Sequence, residues 1–471
     1  MFNKNTSTMT TNNRSSMESI TLSEHSLIIS GSNEYYQFYK KNSNSDLSKK
    51  STMHVESSNF SNYSIFPTFT TIDLSKDFGI EVTSRKYNGR TSRSVYVKKV
   101  SCGEGFTFIL LSDNRVFSRG LNRYGQLGLG HRNNASTNED GFHQVTAIHD
   151  TILDIQCGAD FTLFFTKNSD IYGVGCNSFG KLGVGFQDNS TVIVPKRVKS
   201  TAFDFRKIES MACGLHHVIY ITEDREVVVC GANFRGQLGQ SHSSDIYVPE
   251  KCVTFTTKNA VSASCGEDHS AILTTCGDVY MSGSFKKGQF NCLPQTSLSF
   301  ASESITSFTK VQSDCKDVIC GAFSTIFLKK DHSIYVCGDN TYSNLAISNF
   351  NVPKLKRPEL LSHIFTNQTP THICAAKYHS IIIFDDSRIC GSGKNVDGIL
   401  GGSKDLKENQ ETKFLMHLQT LSKIKGFSLR ASSSYHHVIY YWTKQVGIIE
   451  KYFYEDMRLA EALSDVTIVL P

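Results

Sequence analysis

The sequence predicts an all-β fold in which seven repeats of about 55 residues close into a ring, and three observations carry that prediction. Thirty-three Gly against 8 Pro, with 31 Phe and 19 Tyr, suit many short strands joined by tight turns better than long helices. A Cys-Gly pair recurs as Cys102-Gly103, Cys157-Gly158, Cys213-Gly214, Cys265-Gly266 and Cys320-Gly321, with Gly spacings of 55, 56, 52 and 55 residues. The two ends of the chain carry complementary halves of the same unit. Pairing them in one sheet removes the exposed edges that an open array would leave.

In chain order, residues 1–25 are rich in Ser, Thr and Asn and read as a disordered tail. The ring is expected over residues 26–443. Leu27 to Phe38 reproduces the second half of a repeat, with Gly31, then Asn33, then a Gln37-Phe38 turn in register. A polar stretch over about 42–64 reads as a disordered insertion. Six complete copies run from about Val97 to Phe427. Each marker Gly, replaced by Ala376 in the sixth copy, is followed 17 residues later by a second: Gly120, Gly175, Gly231, Gly283, Gly338 and Gly393. Asn122, Asn177, Asn233, Asn340 and Asn395 stand two residues beyond that second Gly, and turns such as Gly125-Gln126-Leu127-Gly128 begin five beyond it.

Between the glycines, runs such as Thr107 to Leu111 and Arg115 to Phe117 alternate apolar with polar residues, which predicts strand, turn, strand. Gly at fixed places suits positive φ and close backbone approach, and the small Cys before it suits a crowded inner strand. The Cys are accordingly read as small core residues. Leu429 to Thr443 supplies a first half-repeat alone, with Ser434 at the marker position. Beyond it, 444–471 reads as a linker with a short amphipathic helix at Tyr452 to Ala462 and a strand at Ser464 to Leu470.

Composition and motifs narrow the function. The net charge of +5, from 49 Lys+Arg and 44 Asp+Glu, collects into no basic block, so no nucleic-acid partner is expected. No apolar run approaches the roughly 18 residues of a membrane helix and the N-terminus lacks a signal-peptide core, so no membrane is expected. The 14 Cys are then expected to be reduced, as in the cytoplasm or nucleus. Gly175-Cys176-Asn177-Ser178-Phe179-Gly180-Lys181-Leu182 nearly spells a phosphate-binding loop, but Leu182 stands where Ser or Thr would hold magnesium. The stretch is one copy of a turn that other repeats write with Gln, so no cofactor is expected.

His216-His217 and His436-His437 are neighbours whose side chains point to opposite strand faces, and no Cys-x-x-Cys spacing occurs, so neither makes a metal site. His217, His269, His379 and His437 each stand three residues beyond a marker position and read as recurring structural histidines. No Ser/His/Asp set or carboxylate pair stands apart from the repeat, so catalysis by side chains is not expected.

Together, Cys-Gly-x-x-His/Phe-Ser/Thr, the Gly 17 residues later and Gly-x-Asn-x-x-Gly-Gln-Leu-Gly resemble the repeat of the regulator of chromosome condensation family over roughly Leu27 to Thr443. The resemblance implies a monomeric seven-bladed β-propeller closed by pairing the chain ends. One departure is the position before the second Gly, often aromatic in the family and here Arg119, Val174, Cys230, Ser282, Cys337 and Ser392. The resemblance also implies protein partners, because the founding member exchanges guanine nucleotide on a Ran-like small GTPase.

Exchange-active relatives place acidic residues after the marker in the second and third repeats and a His in the fifth. Here those loops read Ala159-Asp160-Phe161, Leu215-His216-His217 and Ala322-Phe323-Ser324, with a further acid, Asp268, in the fourth. The resemblance thus makes Asp160, His216 and Asp268 the candidate GTPase contacts, with Asp160 displaced by one position and Phe323 in place of the His. Chromatin-binding relatives carry a basic tail; Lys4 and Arg14 stand here against Glu18 and Glu24, so that role is not expected.

Ser464-Asp465-Val466-Thr467 and the apolar residues after it resemble the opening of a BTB/POZ domain, which would need about 100 further residues. A complete one would imply a substrate adaptor of a cullin-type ubiquitin ligase. The function expected first is a non-enzymatic interaction scaffold or regulatory adaptor, and the alternative is a guanine-nucleotide exchange factor. Connectors such as His131 to Gly141 are the expected contact surfaces.

Overall fold

The computed structural model describes residues 26–32, 65–75, 80, 95–133, 142–185, 190–198, 200–203, 207–290, 303–347, 352–361, 368–395, 399–400, 411–421, 423–424, 427–434 and 437–444. Its strands form seven four-stranded antiparallel sheets, the blades of a β-propeller. Six blades are contiguous in sequence and begin at Val97, Ile152, Ile208, Ala260, Cys315 and Pro370; they are blades 1 to 6. Blade 3 shows the plan. Its strands Ile208–Cys213, His217–Thr222, Val227–Gly231 and Ile246–Lys251 follow one another across the sheet, with the first at the axis.

Blade 7 is shared between the two ends of the chain. Phe427–Ser433 and His437–Lys444 form its inner half, and Ser26–Ser32 and Ile65–Asp73 its outer half. Leu27 lies opposite Tyr441 and Gly31 opposite His437, so the two half-repeats complete one sheet and close the ring. The tail over 1–25, the insertion over 42–64 and the helix and strand expected within 444–471 lie outside the described residues, apart from Lys444 itself.

The alternation expected between the glycines fails in second strands, while first strands are only partly buried. Burial varies along Ile208–Cys213, whereas all six residues of His217–Thr222, of His269–Thr274 and of His379–Phe384 are buried. A second strand has a neighbouring blade on each side, so both its faces are covered and its sequence reads as a nearly continuous apolar run. The cores are shared between blades for the same reason. One cluster joins Phe161 and Leu163 of blade 2 to Val218 and Tyr220 of blade 3 and Ile272 of blade 4.

Two local devices set the ring's geometry. In each of blades 1 to 6 the pairing of the first two strands slips at the start of the first strand, as between Ile208 and Ser210 or between Ala260 and Ser262. Such a bulge increases twist where the strands converge on the axis. Blade 7 pairs Phe427–Ser433 with His437–Lys444 without a slip. The second device is the turn glycine. A Cβ on Gly236 would come within 2.7 Å of Thr306 Cα in the outer strand of blade 4, so its absence lets adjacent blades close up.

The axial channel and the marker-loop face

The seven marker positions converge on an axial channel that is open to solvent. Its wall is made by the Cys-Gly pairs of five blades, by Ala375 and Ala376 and by Ser433 and Ser434. The repeat pattern makes these Cys core residues, and in the structure they pack into or against the blade cores while their residues also line the channel. The sulfurs of Cys102, Cys157, Cys213 and Cys265 lace the inner strands together, each donating to a carbonyl of the preceding blade. Cys102 reaches Ser432 O at 3.7 Å, Cys157 reaches Ser101 O at 3.5 Å and Cys265 reaches Ala212 O at 3.6 Å. Burial pushes the thiols of Cys102, Cys157 and Cys320 up to about 12, so they remain protonated donors and are poor nucleophiles or ligands. Among the described residues, no group of three or more His, Cys, Asp or Glu is placed to hold a metal ion.

Outside the thiols runs a second ring. A Cβ on Gly214 would stand 2.5 Å from His217 Cε1 and 2.6 Å from Gly266 O, so the marker is Gly because an imidazole lies against it. His217 Nε2 lies 2.8 Å from Ser270 Oγ of blade 4, His269 Nε2 3.2 Å from Thr325 Oγ1 of blade 5, and His437 Nε2 3.2 Å from Thr107 Oγ1 of blade 1. Because Ser270 already gives its proton to Gln237 O, His217 must be the donor to Ser270, which leaves its Nδ1 as a bare lone pair. Blade 7 has Val438 in place of the hydroxyl residue, and His379 turns to Ser433 Oγ at 2.6 Å instead. Burial pushes His217 down to about 3 and His269 to about 4, so both stay neutral.

The loop after each marker and the turn after each second Gly leave the sheet at the same end, so one face of the ring carries both. Asp160, His216 and Asp268 sit on this face on blades 2, 3 and 4. Asp160 Oδ1 accepts a hydrogen bond from Lys181 Nζ at 2.6 Å, and Lys181 is fully buried with its amine 3.3 Å from His216 Nδ1. Asp160 and His216 are therefore brought together through Lys181. Burial, and then the charge of Lys181, push His216 down to about 4. Asp268 stands apart from that cluster; burial raises its carboxyl above the usual range and nearby Arg235 opposes the shift. The loop that nearly spells a phosphate cradle has its lysine tied into the ion pair.

A further group on this face escapes a reading of the repeat. Lys287 lies over the ring of Phe323 at 6.0 Å, Lys377 lies 5.8 Å from Phe323 and 5.5 Å from Tyr378, and Lys394 lies 5.6 Å from Tyr342. Tyr342 and Tyr378 meet edge to face at 5.0 Å. These residues occupy variable positions beside the marker, between Asn and the turn Gly and, for Lys394, between the second Gly and Asn395. The pattern of constants gives no reason to group them, and only the pairing of one blade's turn with the next blade's marker loop does so.

Models of the Regulator of chromosome condensation (RCC1) repeat match residues 97–126, 152–181 and 208–237, and also 113–165, 168–221 and 226–273. The chain carries RCC1 repeats. Its RCC1 ring is similar to the Ultraviolet-B receptor UVR8 of Arabidopsis thaliana, 28% identical over 314 residues, which cover 66% of this chain and 68% of the receptor. It is also similar to the Secretion-regulating guanine nucleotide exchange factor of Bos taurus, 31% identical over 218 residues. That match covers 43% of this chain and less than half, 45%, of the exchange factor. Among solved structures, Prp20p of Saccharomyces cerevisiae superposes with a TM-score of 0.61 at 15% identity, covering 80% of this chain and 91% of Prp20p. Prp20p has binding properties to Gsp1p and histones, and at this identity the likeness speaks for the RCC1 fold alone.

Proposed function

We propose that this RCC1-like propeller is a non-enzymatic scaffold that binds partner proteins through its marker-loop face. The observation that carries the reading is what that face exposes. Phe234 is 45% exposed beside exposed Arg235, and exposed Lys286 and Lys287 follow on the next blade. An apolar ring among charged groups, on turns fixed by a closed sheet framework, suits protein recognition. The thiols and imidazoles nearest the axis are engaged in holding blades together.

A photo-crosslinking residue at position 234 tests this against one at position 253, where Val253 is 61% exposed on a connector at the opposite end of blade 3. Discrete protein adducts in the native cell are expected from position 234 and not from 253. Adducts from 253 alone, or the same set from both, would overturn the assignment of the face.

A second reading, nucleotide exchange on a small GTPase, is supported by the match to the secretion-regulating exchange factor, with Asp160, His216 and Asp268 as contacts. Release of labelled GDP from a Ran-type GTPase separates the two. Acceleration that Asp268→Ala abolishes would establish exchange, and release at the spontaneous rate is the outcome the scaffold reading requires.

A further inference from the structure

We propose that the arc of lysines and aromatic rings on blades 4, 5 and 6 receives an acidic, extended segment of a partner protein. The inference rests on the scaffold reading and names the chemistry of the partner. Lys287, Phe323, Lys377, Tyr378, Tyr342 and Lys394 form an unbroken series in which every step is 6.0 Å or less. The residues come from three blades and from both kinds of loop, so the packing of adjacent blades assembles a cationic surface that no segment of the sequence contains.

The series is suited to carboxylates in two ways. Amines resting over aromatic faces are positioned before a ligand arrives, which reduces the ordering cost of binding. Lys287 is half-exposed and lies 3.3 Å from the largely buried Asp339, a long contact with which an incoming carboxylate can compete for the exposed side of the amine. Between the lysines, the edge-to-face pair of Tyr342 and Tyr378 offers a platform for an aromatic side chain.

Charge elsewhere on the face argues against a uniform polyanion. Lys181 is buried against Asp160, Arg235 faces Asp268, and Glu104 and Glu267 stand at the channel. A nucleic-acid strand crossing the face would meet those carboxylates, whereas a short segment following the arc would not.

The test uses the full chain and a fluorescent peptide that alternates Glu with Tyr. Saturable binding is expected, weakening about tenfold as salt shortens the screening length from about 10 Å to about 3 Å. The pair Lys377→Glu with Lys394→Glu should weaken binding at least about tenfold, Lys377→Arg with Lys394→Arg should retain it, and Lys330→Glu on the opposite face should leave it unchanged. The Arg pair keeps the test valid if the Glu pair unfolds, which a thermal melt reports. No binding, equal binding to the Glu pair in its folded form, or tighter binding of a single-stranded oligonucleotide of equal charge would overturn the proposal. Cellular adducts at position 234 without peptide binding would remove the arc and leave the scaffold. Peptide binding without adducts would remove the scaffold reading alone.

Discussion

His217 and His269 are fully buried, and each holds Nε2 against a hydroxyl of the next blade. Their pKa values are depressed to about 3 and about 4, against about 6.5 for an unfolded His. Above pH of about 6.5 both are neutral in either state and add no pH dependence. As pH falls from 6.5 towards 4, the unfolded chain takes up protons that the folded ring refuses, so each His lowers stability by about 1.4 kcal/mol per pH unit. The raised carboxyl of Asp268 has the opposite sign, because its folded form binds a proton more readily, so the informative quantity is a difference in slope. Urea denaturation between pH 6.5 and 4.5 should show a flatter dependence in His217→Gln with His269→Gln than in the parent chain. Equal slopes would mean that the two rings are protonated in the fold. The recurrence of these histidines was legible in the spacing, but their partners were not, because a hydroxyl one blade away lies 53 to 56 residues along the chain.

Among the elements, the turn of blade 2 departs from those of blades 1, 3 and 4. In blades 1, 3 and 4 a Gln side chain accepts the backbone N–H two residues before it: Gln126 from Tyr124, Gln237 from Arg235 and Gln289 from Lys287. Lys181 has no acceptor to offer, and Phe179 at the corresponding position has φ of +64°. The amine reaches Asp160 instead. Asp160→Ala would leave that amine buried without its carboxylate, at an expected cost of about 3 kcal/mol. Adding Lys181→Gln should recover most of the loss, because the turn then regains its usual acceptor. A double-mutant cycle by chemical denaturation measures the coupling, and additive losses would show that the pair does not hold the turn. A Lys in a Gln position was visible in the repeat; that a loop residue 21 positions earlier would neutralise it was not, since the repeat period says nothing about what crosses between two loops at one end of a sheet.

At the scale of the whole molecule, most of the architecture was legible. The constant interval of 17 residues between glycines marks the span from the first strand's end to the third strand's end, and the complementary ends specify blade 7. What period alone does not show is that the inner strands of Cys102 and Cys157, whose side chains pack against the core as the pattern predicts, also line an axial channel. Blade 7 also shows how little the chain break matters to the sheet. Elsewhere the second and third strands of a blade are joined by a short turn, as at Asp385 to Ser387, and in blade 7 the equivalent strands are His437–Lys444 and Ser26–Ser32. A permuted chain that joins Lys444 to Ser26 by a two- to four-residue hairpin and is opened between residues 81 and 94 should fold to the same ring, with stability changed by less than about 1 kcal/mol. Calorimetry and size-exclusion chromatography check this, and an aggregating or molten permutant would show that the break itself is required.

That same junction imposes a schedule on the ribosome's product. Tyr441 is made 414 residues after its partner Leu27, so the first strand waits roughly 20–80 s for it at common elongation rates. During that interval six blades can assemble as an open arc whose two flanks are uncovered, and the strand that will seal them is already present but has nothing to pair with. Completion of the ring is therefore set by translation time, and the nascent arc, more than the finished protein, is the form most exposed to chaperones and to misassembly.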